Sequence, residues 1–201
     1  MDVTENLQLG GRKLTIVYPP DATELIDEDA FEHEEFLPYW AELWPSAVAL
    51  ARSLAALPLT GRRVVELGCG LAVPSIAASL EGAAALATDW SPDALAYAER
   101  NASANDARLE TLRVAWADAD ELVARAPFDL VLAADVLYER RNVEQLLALL
   151  PLLGSEVLLA DPGRPALAAF LDGAGASWEI AEEPADELSR GGVYRLVRRV
   201  G

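Results

Sequence analysis

Val64-Val65-Glu66-Leu67-Gly68-Cys69-Gly70-Leu71-Ala72-Val73-Pro74 decides how the rest of the chain is read. A strand-like run from Val64 to Leu67 leads into two glycines one residue apart, and a helix-compatible run with proline in its first turn follows. Strand, tight turn and helix in that order form the repeating unit of a parallel sheet. Gly68 and Gly70 let the backbone bend sharply and come close to a ligand. Their turn sits past the carboxyl end of a strand, where open α/β sheets bind.

The same grammar continues outward. Strands are predicted over Arg63 to Leu67, Ala84 to Thr88, Thr111 to Ala115, Asp129 to Ala134 and Ser155 to Ala160. Helices are predicted between them, at about Ala72 to Glu81, Pro92 to Asn105, Asn142 to Leu150 and Pro165 to Gly173. Two more strands, Ser177 to Glu182 and Val193 to Arg199, are separated by a loop too short for a parallel crossover, so this pair is predicted to be antiparallel. Upstream, Gly10-Gly11 between Asn6 to Leu9 and Lys13 to Tyr18 predicts a hairpin. A strongly acidic stretch, Asp21 to Glu35, reads as a solvated, partly helical approach segment, and Pro45-Ser46 opens an amphipathic helix ending near Pro58. The fold class is therefore α/β: a doubly wound, seven-stranded, mostly parallel sheet with an antiparallel last strand. It occupies residues 46–201, and a hairpin and acidic segment, residues 1–45, close over the site.

Composition bounds the function. The chain has 201 residues, 16 Lys and Arg against 33 Asp and Glu, a net charge of −17 and 52% hydrophobic residues. That is one domain, able to bury roughly 70% of its unfolded surface without a staple. The acidic balance argues against a nucleic-acid partner. No run is long and apolar enough for a membrane span, and Met1 to Leu9 has no leader pattern, so the reading is cytoplasmic. One cysteine, Cys69, and one histidine, His33, supply neither a disulfide nor a metal centre. His33 reads as a surface residue and Cys69 as buried packing.

Two features narrow the ligand. A dinucleotide fingerprint wants a third glycine where Val73 stands, which disfavours NAD. Asp89 ends the next strand about twenty residues on, where a carboxylate accepts hydrogen bonds from ribose hydroxyls. Both facts suit a nucleoside without a diphosphate.

Glu66-Leu-Gly-Cys-Gly, Asp89 and the strand Asp129 to Ala134 together resemble the class I S-adenosylmethionine-dependent methyltransferases. Pro38-Tyr39-Trp40-Ala41-Glu42-Leu43-Trp44-Pro45-Ser46, Asp135-Val136-Leu137-Tyr138 and Asp161-Pro162-Gly163-Arg164-Pro165 extend the likeness. They resemble the seven-β-strand protein-lysine methyltransferases, particularly the branch acting on the electron transfer flavoprotein β subunit. One departure is Ala72, where many members carry a third glycine.

The resemblance implies S-adenosyl-L-methionine as cofactor. Gly68 and Gly70 would border its amino-acid end, Asp89 would hold the ribose, Trp116 and Asp118 would frame the adenine, and Glu66 and Trp90 would also bind the cofactor. Trp44 would close over the cofactor from the N-terminal side, whereas Tyr39 and Trp40 read as core packing. Asp135, which also borders the cofactor, and Tyr138 are the candidate catalytic residues. The carboxylate would orient an amine, and the ring would face the sulfonium or the incoming ammonium. Arg164 is not explained by turn chemistry; it would pair with Asp161 or Asp135, or touch substrate. The acceptor reading is a protein lysine ε-amine. A small amine metabolite is the alternative acceptor, and a cofactor-binding module without catalysis is the alternative class.

Overall fold

A computed structural model describes residues 2–21 and 38–199. His33 and all of the acidic stretch beyond Asp21 lie outside the described residues. The chain opens with an antiparallel hairpin, β1 (Val3–Leu9) and β2 (Arg12–Tyr18), turned at Gly10 with φ +56°. A 3₁₀ turn, Tyr39–Ala41, precedes helix α1 (Pro45–Leu54). Then come β3 (Arg63–Leu67), α2 (Val73–Leu80), β4 (Ala84–Asp89), α3 (Pro92–Ala104), β5 (Leu109–Arg113) and α4 (Asp120–Val123). β6 (Leu130–Ala134), α5 (Arg140–Leu153), β7 (Glu156–Asp161), α6 (Leu167–Ala174), β8 (Trp178–Pro184) and β9 (Gly192–Arg198) complete it.

The main sheet has seven strands in the order β5-β4-β3-β6-β7-β9-β8. β3 to β7 run parallel, and β9 inserts antiparallel between β7 and β8. The central strands are apolar on both faces because helices cover both. Val64, Leu132 and Leu158 face a layer holding Leu50 of α1, Ile76 of α2 and Ala98 of α3. Val65, Val131 and Val157 face Leu122 of α4, Leu146 of α5 and Phe170 of α6. Among the described residues, no helix is long and apolar enough to cross a membrane.

The strand predicted over Thr111 to Ala115 is observed two residues earlier, because Ala85 to Asp89 of β4 pair with Leu109 to Arg113. This is an edge strand. With one neighbour and a polar Leu-Glu-Thr-Leu-Arg sequence its pattern is weak, and Val114 and Ala115 instead carry the chain off the sheet toward Trp116. The four-residue α4 and the 3₁₀ turn are too short to show a period.

The hairpin is tied down by side chains. Asn105 accepts from the Thr15 N–H at 2.8 Å and donates to the Thr15 carbonyl at 2.8 Å. Asn101 accepts from the Val17 N–H at 2.8 Å, and donates to the Val17 carbonyl at 3.1 Å and to the Leu71 carbonyl at 3.2 Å. Four residues of helix rise about 6 Å and two residues of strand about 6.6 Å, so carboxamides one turn apart on α3 match alternate residues of β2. The edge of β2 is thereby paired without a neighbouring strand.

Candidate active site

The carboxyl ends of β3, β4 and β6, with the 3₁₀ turn and the start of α1, enclose a cavity of about 500 Å³. Gly68, Gly70 and Ala72 carry φ angles of +65°, +49° and +59° in its floor. A Cβ at Gly68 would lie 3.4 Å from Trp116 and Val136, and one at Gly70 would lie 3.2 Å from the Trp40 carbonyl oxygen. The left-handed angle favours glycine at both positions, and at Gly70 the space is tight as well.

Asp89 closes this side. Its Oδ2 accepts from the Gly70 N–H and its Oδ1 from the Ser91 N–H, each at 3.0 Å. Burial pushes its carboxyl up from the usual range and these N–H groups pull it back. The Trp90 N–H bonds the same carboxylate, which leaves lone-pair capacity on one oxygen for a ligand. Glu66 lies deeper, 1% exposed, and caps α2 from the strand beneath: its Oε2 accepts from the Ser75 N–H at 2.9 Å and hydroxyl at 2.5 Å. Burial outweighs those bonds and pushes its carboxyl up to about 8. The Cys69 thiol is buried and pushed up for the same reason.

The opposite wall follows β6. Asp135 has φ +56°, a left-handed conformation that a non-glycine residue enters at a cost, and its N–H donates to Ala160 at 2.9 Å. Its Oδ1 accepts from Arg164 Nε at 2.7 Å, and the Arg164 guanidinium lies 5.6 Å from the centre of the Trp44 ring. The Trp44 indole N–H donates to the Tyr39 carbonyl at 2.7 Å. Tyr138 is 40% exposed and tilts against Tyr39 with ring centres 5.2 Å apart. Desolvation, reinforced by Glu139, pushes its phenol up to about 12, so it keeps its proton.

A profile of lysine methyltransferases matches residues 34–160. The chain belongs to that family. Among curated proteins it is similar to the electron transfer flavoprotein beta subunit lysine methyltransferase of Danio rerio, 35% identical over 136 residues, covering 63% of this chain and 51% of the relative. It is 34% identical over 122 residues to the protein N-lysine methyltransferase METTL21A of Danio rerio, covering 57% of this chain and 56% of that protein. To the human histone-arginine methyltransferase METTL23 it is 32% identical over 112 residues, covering 53% of this chain and 59% of that one. The chain spans about half the length of the curated relatives it matches. The fold is shared with magnesium protoporphyrin IX methyltransferase of Synechocystis, solved with S-adenosylmethionine bound, at a TM-score of 0.63 and 18% identity over 85% of this chain and 94% of that one.

Within this family member, Trp44, Glu66, Gly68, Gly70, Asp89, Trp90, Trp116, Asp135 and Tyr138 all line the one cavity. Asp118 does not: the tight turn that donates its N–H to the Ala115 carbonyl leaves it exposed, outside the lining. Tyr39 and Trp40, read from sequence as core, are instead at the site. Tyr39 is exposed on the rim, and Trp40 lines the cavity while packing on Tyr97 at 5.3 Å. Asn142 and Gln145 of α5 were missed and also line it. Asn142 donates to the Val136 carbonyl at 2.8 Å and so fixes the turn between Asp135 and Tyr138. The available signal was a pair of carboxamides three apart in the first turns of the helix that follows that turn.

Proposed function

We propose that this family member transfers a methyl group from S-adenosyl-L-methionine to the ε-amine of a protein lysine. The reading rests above all on one observation: the glycine turn and Asp89 share a single cavity with Asp135 and Tyr138. The residues present suit the cofactor. Gly68 and Gly70 leave the floor free of side chains, Asp89 offers its remaining lone-pair capacity to a hydroxyl, and Trp90 and Trp116 offer flat apolar faces to a base. When bound, S-adenosylmethionine would supply an electrophilic methyl: the amine lone pair would form the new N–C bond as the C–S pair leaves on sulfur as a thioether, and the methylated ammonium would lose its proton to water.

The chain's own residues do the positioning. Asp135 orients the amine through a hydrogen bond, Tyr138 and Tyr39 shield it from water, and Asn142 keeps their turn in place. Only the neutral amine attacks, and its reference pKa is about 10.4, so the rate is expected to rise with pH without a histidine or cysteine of the enzyme being required. The single Cys69 supports a reducing compartment, the cytoplasm.

The test is incubation with labelled cofactor and a cytoplasmic lysate, using a Lys13→Arg chain so that its one lysine, which is exposed, cannot accept label. A discrete labelled band that yields methyllysine on hydrolysis is the expected outcome. Methylarginine, or label only among small molecules, would reject the acceptor; cofactor binding without any transfer would reject the enzyme. Asp89→Ala is expected to weaken binding of the demethylated cofactor by about 1 to 3 kcal/mol, measured by calorimetry.

A further inference from the structure

Arg164 stands 29 residues from Asp135 in sequence, yet the two are joined at the ends of neighbouring strands. The turn that delivers it is built for that purpose. Asp161 Oδ1 accepts from the backbone N–H of Gly163 at 2.8 Å and of Arg164 at 2.7 Å, and Gly163 takes φ +89°. The Asp135 side chain is 4% exposed and that of Arg164 is 32% exposed. A carboxylate taken so far out of water needs a partner, and a guanidinium supplies one that never loses its charge.

We propose that Arg164 is a positioning residue of the acceptor site. By pairing with Asp135 it holds the carboxylate in the cavity wall and cancels its charge, so that the acceptor is received as a neutral amine rather than as a tightly held ammonium. This rests on the methyl-transfer reading and deepens it. A naked carboxylate would stabilise the ammonium, which has no lone pair to react. The paired carboxylate can still accept a hydrogen bond, because each oxygen has two lone pairs. A guanidinium acceptor is disfavoured by the same device, since it cannot shed its charge beside a fixed cation.

The other groups facing the pair do not supply this balance. Asp161, from the end of β7, is wholly buried, and burial pushes its carboxyl toward the neutral form. Tyr39 faces Arg164 from the 3₁₀ turn, while Tyr138, Glu139 and Asp89 face one another across the cavity. Arg141 is the other cation in the cavity lining, and its Nε is paired with Glu139 at 2.5 Å rather than with Asp135.

The experiment needs no acceptor. Calorimetry measures S-adenosylmethionine, whose sulfonium is positive, against S-adenosylhomocysteine, whose thioether is neutral, on the full chain and its variants. Arg164→Met unmasks Asp135 and is expected to shift the affinity ratio about three- to tenfold toward the cation. Asp135→Asn unmasks Arg164 and is expected to shift it by a similar factor the other way. Arg164→Lys, which keeps the charge, should stay near the parent, and the double variant Arg164→Met with Asp135→Asn should return to it. A purely structural Arg164 would weaken both ligands together and leave every ratio unchanged, which would overturn the proposal. Melting curves identify any variant that fails to fold, and the remaining three then decide. With the labelled acceptor protein in hand, Arg164→Met should lose turnover at pH 7.5 and recover at least tenfold more than the parent between pH 7.5 and 9.5. Equal loss at both pH values would contradict the role. Failure of the parent chain to bind either ligand would remove the methyl-transfer reading itself, and this inference with it.

Discussion

The two walls of the cavity are held by opposite means. On the β3 and β4 side, the holding bonds end on backbone: Gly68 and Gly70 take left-handed angles, the Asp89 carboxylate accepts from the N–H groups of Gly70 and Ser91, and the first turn of α2 is capped by Glu66. On the β6 and β7 side, side chains do it: Asp135 is bound to Arg164, Arg164 lies over Trp44, and Asn142 pins the intervening turn. Each wall also contains one non-glycine residue in the left-handed region, Ala72 and Asp135. Ala72 has only a buried methyl to set against that cost. Asp135 has a charged hydrogen bond, so its strain is held where it is useful. A wall built of backbone tolerates changes that keep its turn, whereas one built of side chains fails with either partner.

The sharpest way to break this contrast is Asp135→Ala. Turnover of the labelled acceptor should fall by about 100-fold or more, while affinity for S-adenosylhomocysteine stays within a few-fold. Parallel loss of both would put Asp135 on the cofactor wall and erase the division.

Next in size is Asn101→Ala, which tests whether the backbone wall is anchored from outside. Three buried hydrogen bonds go, including the one to Leu71 beside the glycine turn. Chemical denaturation should show a loss of about 2 to 4 kcal/mol. A loss under about 1 kcal/mol would mean that the hairpin is held by its apolar contacts alone.

Glu66 gives the backbone wall a pH signature. Its native pKa of about 8 lies above the ordinary 4.5, so between those values the folded chain keeps a proton that the unfolded chain has lost. Its contribution to stability is fully present below pH 4.5 and falls away as pH rises toward 8. Glu66→Gln should flatten that part of the stability curve and be the more stable protein at pH 9, by about 2 kcal/mol. Parallel curves for parent and variant would show that Glu66 is ionised in the fold.

The smallest expected effect is that of Ala72→Gly. Relief of about 1 kcal/mol of left-handed strain is set against about 0.8 for the buried methyl and roughly 0.7 for glycine's entropy. Stability should therefore move by less than about 1 kcal/mol in a denaturant titration. A loss above about 2 kcal/mol would show that the methyl is a packing element and that this wall, too, depends on a side chain.

The strands β3, β4, β6 and β7, the glycine turn, Asp89 and the Asp135 to Tyr138 turn could be read from the sequence, because each is encoded within a few adjacent residues. Apolar runs, paired glycines and strand-end acids keep the same meaning wherever the chain goes. The antiparallel sense of β8 and β9 was legible for the same reason, through a loop too short to cross over. Only the tertiary structure decided that β9 enters between β7 and β8, that Asn101 and Asn105 act as a strand for β2, and that Arg164 reaches Asp135. It alone turned Tyr39 and Trp40 toward the cavity and left Asp118 outside its lining. The arginine and asparagine contacts join residues 29 to 90 apart in sequence. An asparagine in a helix or an arginine after a turn looks the same with or without a partner, and its meaning is fixed only when the sheet order brings that partner within about 3 Å.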